Sequence, residues 1–554
     1  MTESAPLDVP SLVAAHMGLF TWLATAADAN PDRLVARGRE GDEVVDLTLA
    51  ELEEKSRRFA NGLQSIGVRT GDVIGSWLPN RIEWLITEFA CAALGVGVLG
   101  LNTRYRSHEM SHLLRTVDLS AIILPSAFLD IDFVGTLESA LEPGNSNELA
   151  SPSPRLIFLG DIPERARNVS TENHSFARLL KDGLRTEVTD QGSAISNFFT
   201  TSGSTSAPKV AGHDQTSILR HGYAGSLALD VAPDDRILAV LPLCGVFGFS
   251  AVMALLIGGG SALLVETFDA SLAASFLEQY GVTHVVGGDE MLGAIFEQVP
   301  GNATLSRLRR GGIANFAGHA KEIVSEVDER WGTKLSGVYG SSELFALSAL
   351  WPAGTDRAVR ELGGGVVVDT DIQVRVRDLD TNLAVADGIS GELQFRGYNV
   401  TPGYTNNAHA NATSFTNDGW FKTGDLGYIA HGGFVYQCRS REALRLHGFL
   451  VEPGEIEDFL TTEPAIDEVH VVGVDFEAGT KAFAFARARD GMTLDETAIL
   501  SRARRQIASY KVPERLFQVE EFPTTTGTNG TKIRFDKLRE LAMERYISTS
   551  EKRS

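Results

Sequence analysis

From Ile237 to Val265 the chain carries no charged residue, yet Pro242 and the run Gly258-Gly259-Gly260 cut this stretch into pieces. An uncharged segment of that length is long enough to cross a bilayer. The interruptions support another reading: "RILAVLP" as a buried strand, "VFGFSAVMALLIGG" as a buried helix and "SALLVE" as a second buried strand. Next comes "SLAASFLEQYGVTHVVGG", a helix from Ser271 closing at Gly281, then another apolar strand. Strands joined through helices pair in parallel, so the stretch predicts an α/β chain built on parallel sheet. Upstream, "LTLAELEEKSRRFANGLQSIGV" sets Thr48 and Glu51 at the spacing of a capping box before an amphipathic helix. "EPGNSNELASPSPR" carries turn formers and reads as an exposed loop.

A length of 554 residues allows two or more domains. The last part differs in texture: "HVVGVD", "KAFAFARA" and "ERLFQVEEF" read as strands, and "TLDETAILSRARRQIASY" as a capped helix. Together they make a compact α+β unit. The expected division is an N-terminal domain over 1–438, a hinge at 439–442 and a C-terminal domain over 443–554. A formal net charge of −22 argues against nucleic acid or an anionic membrane as a general partner. Cys91, Cys244 and Cys438 lie far apart with no CxxC spacing, which suggests neither a disulfide framework nor a zinc site. That fits a reducing cytoplasm, and "MTESAPLDVPSLVAAHMG" lacks a basic stretch before an apolar core, so a cytoplasmic protein without a secretory signal is expected.

Chemistry concentrates in a few short stretches. "FFTTSGSTSAPKVAGHD" crowds hydroxyls and small residues before Lys209. Backbone N–H groups, hydroxyls and one lysine suit a polyphosphate, while Ser/Thr/Gly runs also occur as solvated loops; on this stretch both readings stand. It is not the common P-loop, since Ala207 and Pro208 precede the lysine. "GVYGSSELF" sets Tyr339 to Glu343 after a strand-like segment. "DGWFKTGDLGYI" holds Asp425 in an expected hairpin, where aspartate often caps its own backbone. "RSREALRLHGFLVEPGEIE" and "TTTGTNGTKIRFDKLRE" add Arg439, Arg441 and, in a Gly-rich loop, Lys532.

In this order, over nearly the whole chain, these stretches resemble the signature motifs of the adenylate-forming superfamily. That superfamily includes acyl- and aryl-CoA ligases, peptide-synthetase adenylation domains and luciferases. "LNTRYRSHEMSHLLRTVDLSAIIL" is similar to another of its segments. The resemblance implies a large multi-subdomain α/β N-terminal domain and a small mobile α+β C-terminal domain. It implies that Thr201, Ser202, Gly203, Ser204, Thr205 and Lys209 belong to a loop holding the ATP β- and γ-phosphates. Tyr339 would stack on adenine, with Gly340, Ser341, Ala314 and Asn315 nearby, Ser342 at the α-phosphate and Glu343 as the Mg²⁺ ligand. Asp425 and Arg439 would hold the ribose, Arg441 would be the hinge, and Lys532 would bridge the attacking oxyanion and the α-phosphate. Lys209, Glu343 and Lys532 are the catalytic set so implied.

Departures from the family pattern bear on the substrate. Ser206 stands where glycine is usual, and Arg441 where Asp or Lys is usual. Gly245, in "LPLCGVFG", replaces a His or an aromatic, so Gly245 and Phe247 are expected to line the acid pocket. Asp289 and Glu290, in "VVGGDEMLG", replace an apolar run with proline and are assigned to the same pocket. The implied activity is ATP-dependent adenylation of an aryl or medium-size acyl acid, then transfer to CoA, by a monomer or homodimer. The alternatives are loading of a carrier protein, activation of nitrite for diazotisation of an arylamine, and a non-catalytic AMP sensor.

Overall fold

The computed structural model of the protein describes residues 8–551, apart from 142–152, 183–191, 193, 202–207, 380, 441–443, 447–448, 452, 477–478, 508–510 and 528–529. The exposed loop expected from Glu142 falls largely outside these residues. Contacts divide the chain into two compact units, one of 1–374, 395–421 and 431–433, the other of 375–394, 422–430 and 434–554.

The uncharged stretch folds as its interruptions require. Strand Arg236–Ala239 leads to helix Val246–Ile257, in which every residue is buried, and Gly259 turns the chain at φ +100° into strand Ser261–Leu264. No helix among the described residues is long and apolar enough to cross a membrane. The next helix, Ala270–Gln279, starts one residue before the expected Ser271, because Asp269 caps it by accepting from the Leu272 N–H.

In the first unit the strands order as Gly364–Val367, Ala349–Leu350, Lys334–Tyr339, Arg310–Ala314, His284–Gly288, Arg236–Ala239, Ser261–Leu264, Leu34–Glu40 and Glu43–Thr48. From Lys334–Tyr339 through Leu34–Glu40 neighbours run parallel. A second sheet orders Asn173–Ser175, Arg155–Leu159, Leu119–Pro125, Val73–Ser76, Gly97–Gly100, Ile195–Thr200 and Val210–Asp214; only the last strand is antiparallel to its neighbour. One hydrophobic core takes residues from both sheets, such as Val35 and Ala262 from one and Ile74 and Val98 from the other. It also takes the wholly buried helices Ile82–Leu94 and Val246–Ile257, so apolar helices fill the space between the sheets. The capping box at Thr48 and Glu51 is present before helix Leu49–Ser65.

The second unit contains most of strands Gln373–Arg377, Gly391–Arg396, Phe421–Ala430 and Gly433–Arg439, neighbours in that order. Later come Ile466–Phe476 antiparallel to Gly479–Ala488, with Arg515–Gln518 parallel to the latter. The alternation in "KAFAFARA" sets the two faces of this small sheet. Ala482, Ala484 and Ala486 pack with Ile456, Leu460 and Leu500, while Phe483 and Phe485 pack with Leu538 and Ala542 of helix Phe535–Glu551. Small residues let two helices approach one face; phenylalanines fill the other.

Candidate active site

Parallel strands deliver their carboxyl ends, and the loops that follow, to one edge of a sheet, where α/β proteins bind ligands. Tyr339, Ala314 and Gly288 end adjacent strands, and Ala239 ends the next. The segments after them carry the residues singled out at 340–343, 315 and 245, and a helix that opens directly on 289–290.

Two paired strands flank the Ser/Thr/Gly stretch in the sequence. Ile195–Thr200 pairs with Val210–Asp214, and the Thr201 N–H donates to the Lys209 carbonyl at 2.8 Å. Ser202, Gly203, Ser204 and Thr205 lie outside the described residues. The Lys209 ammonium sits 4.6 Å from the centroid of the Tyr404 ring. The Tyr404 hydroxyl donates to Glu343 Oε1 at 2.8 Å. Tyr404 is itself tied to the hairpin, through a bridge to Ala211 and a bond from the Thr405 N–H to the Val210 carbonyl at 2.9 Å. One tyrosine therefore joins the hairpin lysine to the carboxylate. Sequence reasoning missed it, because Tyr404 follows an ordinary Pro-Gly turn far along the chain from both partners.

The 339–347 loop is built against its own preferences. Tyr339 stacks on Phe395, with centroids 5.4 Å apart and planes at 14°. Gly340 is required: a Cβ there would lie 2.6 Å from the Ala346 Cα. Ser341 Oγ is buried with no hydrogen-bond partner among the described residues. Ser342 Oγ donates to the Thr200 carbonyl at 3.1 Å, and the Glu343 carbonyl accepts from the Thr401 N–H at 2.7 Å. Phe345, Ala346 and Leu347 then all have positive φ, at 59°, 48° and 36°. A left-handed conformation costs about 1–2 kcal/mol for each such residue. His213 Nε2 meets the Ser342 carbonyl at 2.8 Å and His221 Nε2 meets the Ala346 carbonyl at 2.9 Å. Burial lowers both imidazoles to a pKa of about 4, so they are neutral at neutral pH, and a carbonyl partner assigns the N–H to Nε2.

Around the other loops the picture is mixed. Asp289 is fully buried, and its carboxylate accepts from the N–H groups of Phe316, Ala317 and His319 at 2.9–3.2 Å. It thus fixes the loop that carries Asn315, whose Oδ1 accepts from the Ala320 N–H at 3.2 Å. Glu290 is exposed, one residue further along the same helix. Gly245 precedes helix Val246–Ile257 with φ −98° and ψ 139°, a conformation open to any residue, and Phe247 is buried in the core. Buried Asn80 organises the segment before it, donating to the Ala239 and Leu241 carbonyls at 2.9 Å and accepting from the Leu243 N–H at 2.8 Å.

Among the described residues no group of three or more His, Cys, Asp or Glu side chains gathers for a metal. Glu343 alone suits Mg²⁺, which commonly takes one or two carboxylates and fills its other positions from substrate phosphates and water.

In the second unit, Asp425 is buried in strand Phe421–Ala430, after Gly424 at φ +68°, and pairs with Arg439 Nη1 at 3.0 Å. Its backbone N–H donates to Thr423 Oγ1 at 3.0 Å. Lys532 lies in a strand rather than in the expected loop: Gly530–Ile533 pairs with Thr524–Gly527, placing Lys532 opposite Thr525. Runs of Thr and Gly hid the two short strands. Arg441 lies outside the described residues.

Residues 23–405 match the family model described as AMP-binding enzyme, and residues 455–528 match that of the AMP-binding enzyme C-terminal domain. YngI of Bacillus subtilis (strain 168), which carries a provisional acyl-CoA synthetase name, is 28% identical over 552 residues, covering 97% of this chain and 99% of its own. The Homo sapiens protein named medium-chain acyl-CoA ligase ACSF2, mitochondrial, is 27% identical over 530 residues, covering 91% of this chain and 84% of its own. The crystal structure of ATP-bound MatB from Rhodopseudomonas palustris shares the fold, with a TM-score of 0.79 at 21% identity over 96% of this chain and 100% of that one.

Proposed function

The chain belongs to the AMP-binding enzyme family and is an adenylate-forming enzyme of the acid-CoA ligase kind; from that premise we propose that it joins an aryl or medium-size acyl acid to CoA at the expense of ATP. The observation that carries this reading is the chain Lys209–Tyr404–Glu343, which sets a cation for phosphates beside a carboxylate for a metal.

In the first half-reaction a carboxylate oxygen of the acid attacks the α-phosphorus, the bond to pyrophosphate breaks, and an acyl-adenylate forms. Two anions must meet, so preorganised positive charge is what the protein has to provide. Lys209 serves the β- and γ-phosphates, and Lys532 serves the attacking oxygen and the α-phosphate. Ser341 Oγ and Ser342 lie at the phosphate end of the adenine loop, Tyr339 offers a ring face to the base, and Asp425 with Arg439 binds the ribose. A magnesium ion at Glu343 would neutralise phosphate charge while the nucleotide is bound. In the second half-reaction the CoA thiol gives up its proton and attacks the acyl carbonyl; the C–S bond forms as the C–O bond to AMP breaks. We assign this step to a C-terminal domain that turns about residues 439–442 and withdraws Lys532. The relatives' names favour CoA over a carrier protein. A different oxyanion would draw on the acidic pair at 289–290, but Asp289 spends its carboxylate on backbone N–H groups.

The acid is read out by pyrophosphate release across a size-graded panel with ATP, Mg²⁺ and CoA. Because the backbone at Gly245 tolerates a side chain, Gly245→Phe tests space alone. It is expected to weaken large acids by about 1–3 kcal/mol and leave small ones active; an equal loss for every acid removes Gly245 from the pocket. Tyr404→Phe keeps the ring under Lys209 and deletes the bond to Glu343. The half-saturating Mg²⁺ concentration for pyrophosphate exchange should rise by about 10-fold, with AMP affinity unchanged. Wild-type Mg²⁺ dependence would count against Glu343 as the ligand.

A further inference from the structure

The left-handed run at Phe345, Ala346 and Leu347 has no glycine to relieve it, yet it lies just beyond Glu343 in the most constrained loop of the site. Conformations of this kind persist only where the surroundings over-determine them. Here the carbonyls are gripped in succession. Ser342 is held by His213, Glu343 by the Thr401 N–H, Leu344 by Asn399 Nδ2 at 2.9 Å and Ser348 Oγ at 2.9 Å, and Ala346 by His221. The Phe345 ring is also clamped, edge-on, between His213 at 5.0 Å and His221 at 5.4 Å.

Both histidines are 2% exposed. A buried donor must carry an N–H without a charge that the interior cannot solvate, which the neutral imidazole does and lysine or arginine does not. Both also come from the segment that leaves the phosphate hairpin: His213 from strand Val210–Asp214 and His221 from helix Gln215–Ala228. The element that presents Lys209 therefore also grips the loop that presents Glu343.

We infer that His213 and His221 are positioning residues, which hold the strained 345–347 run so that Glu343 points its carboxylate at the metal accompanying the nucleotide. The inference rests on the reading of Glu343 as the Mg²⁺ ligand. Without the two N–H donors the run relaxes toward negative φ, and the carboxylate turns away while the adenine and ribose contacts remain. Each place requires one neutral N–H donor at one distance.

The test is calorimetric titration of the full-length protein with ATP, with and without Mg²⁺, and with AMP alone. In wild type Mg²⁺ raises ATP affinity. His221→Leu is expected to cut that gain by about 10-fold and leave AMP affinity unchanged, because loss of a residue that orients a ligand costs metal affinity selectively. His221→Gln, whose side-chain amide can again donate to the Ala346 carbonyl, should restore most of the gain. If His221→Leu does not fold, His221→Asn replaces it: its amide is too short to reach that carbonyl, and the same loss is expected. A His221→Leu or His221→Asn protein with the wild-type Mg²⁺ gain overturns the inference, as does equal weakening of ATP and AMP, the mark of general destabilisation. Glu343→Gln is measured alongside. Should it leave the Mg²⁺ gain intact, the reading of Glu343 fails; should it abolish the gain while both His221 variants match wild type, only the positioning role fails.

Discussion

Lys532→Ala is expected to abolish most adenylate formation while nucleotide binding survives. In the proposed role the lysine's bonds would strengthen as charge builds on the oxygens between the acid and the α-phosphorus, so its loss should appear in kcat more than in KM. Removing one such donor costs on the order of 10²-fold or more. Pyrophosphate exchange into ATP, in the presence of an accepted acid, measures the step before any thiol is needed. Lys532 stands in the hairpin strand Gly530–Ile533, so alanine keeps the backbone pairing to Thr525, and AMP affinity should equal that of wild type. Near wild-type exchange would return Lys532 to an ordinary surface lysine. A loss confined to thioester formation would move it from the first half-reaction to the second.

Asp425→Ala is expected to weaken ATP and AMP binding together. The ribose is common to both nucleotides, and a carboxylate bonded to its hydroxyls contributes to each equally. A hydrogen bond to a charged group is worth about 1.5–3 kcal/mol, which corresponds to roughly 10- to 150-fold in affinity. Because Asp425 is buried beside Arg439 at 3.0 Å, the alanine variant also leaves that guanidinium without its carboxylate. Asp425→Asn is therefore measured with it; the amide keeps the shape and removes the charge. Calorimetry giving wild-type AMP affinity in both variants, with the fold intact by thermal unfolding, would leave Asp425 as a structural partner of Arg439.

The two variants probe residues that were legible in different ways. Asp425 sits in the long strand Phe421–Ala430 after glycine, and the sequence marks it only through a family resemblance; nothing in its spacing points to a ribose. Lys532 was placed in a loop because Thr and Gly dominate its neighbourhood, whereas backbone pairing makes two strands of that stretch. The substrate pocket was the least legible. Asp289 stood out as an acid in an apolar region, and its oxygens are bound by the backbone of the loop after strand Arg310–Ala314. A sequence displays the charge of a carboxylate and not which donors surround it.

What the sequence determined by itself is what depends on neighbours a few residues apart. The capping box at Thr48 and Glu51, the uncharged strand–helix–strand from Ile237 to Val265 and the alternation of Ala482 to Phe485 all follow from local periodicity and turn chemistry. The ordered motifs from Thr201 to Lys532 likewise sufficed for the family. Tertiary structure alone decided which groups meet. Tyr404 reaches Glu343 and Lys209 because its segment pairs with strand Val210–Asp214 of the hairpin, and His221 reaches Ala346 from the following helix. Hydrogen bonds form over about 3 Å whatever the separation along the chain, so the partners of a buried donor are set by packing and leave no local trace. The left-handed run at 345–347 is the clearest case: Phe, Ala and Leu each disfavour that conformation, and the surrounding donors and the ring packing around Phe345 hold it.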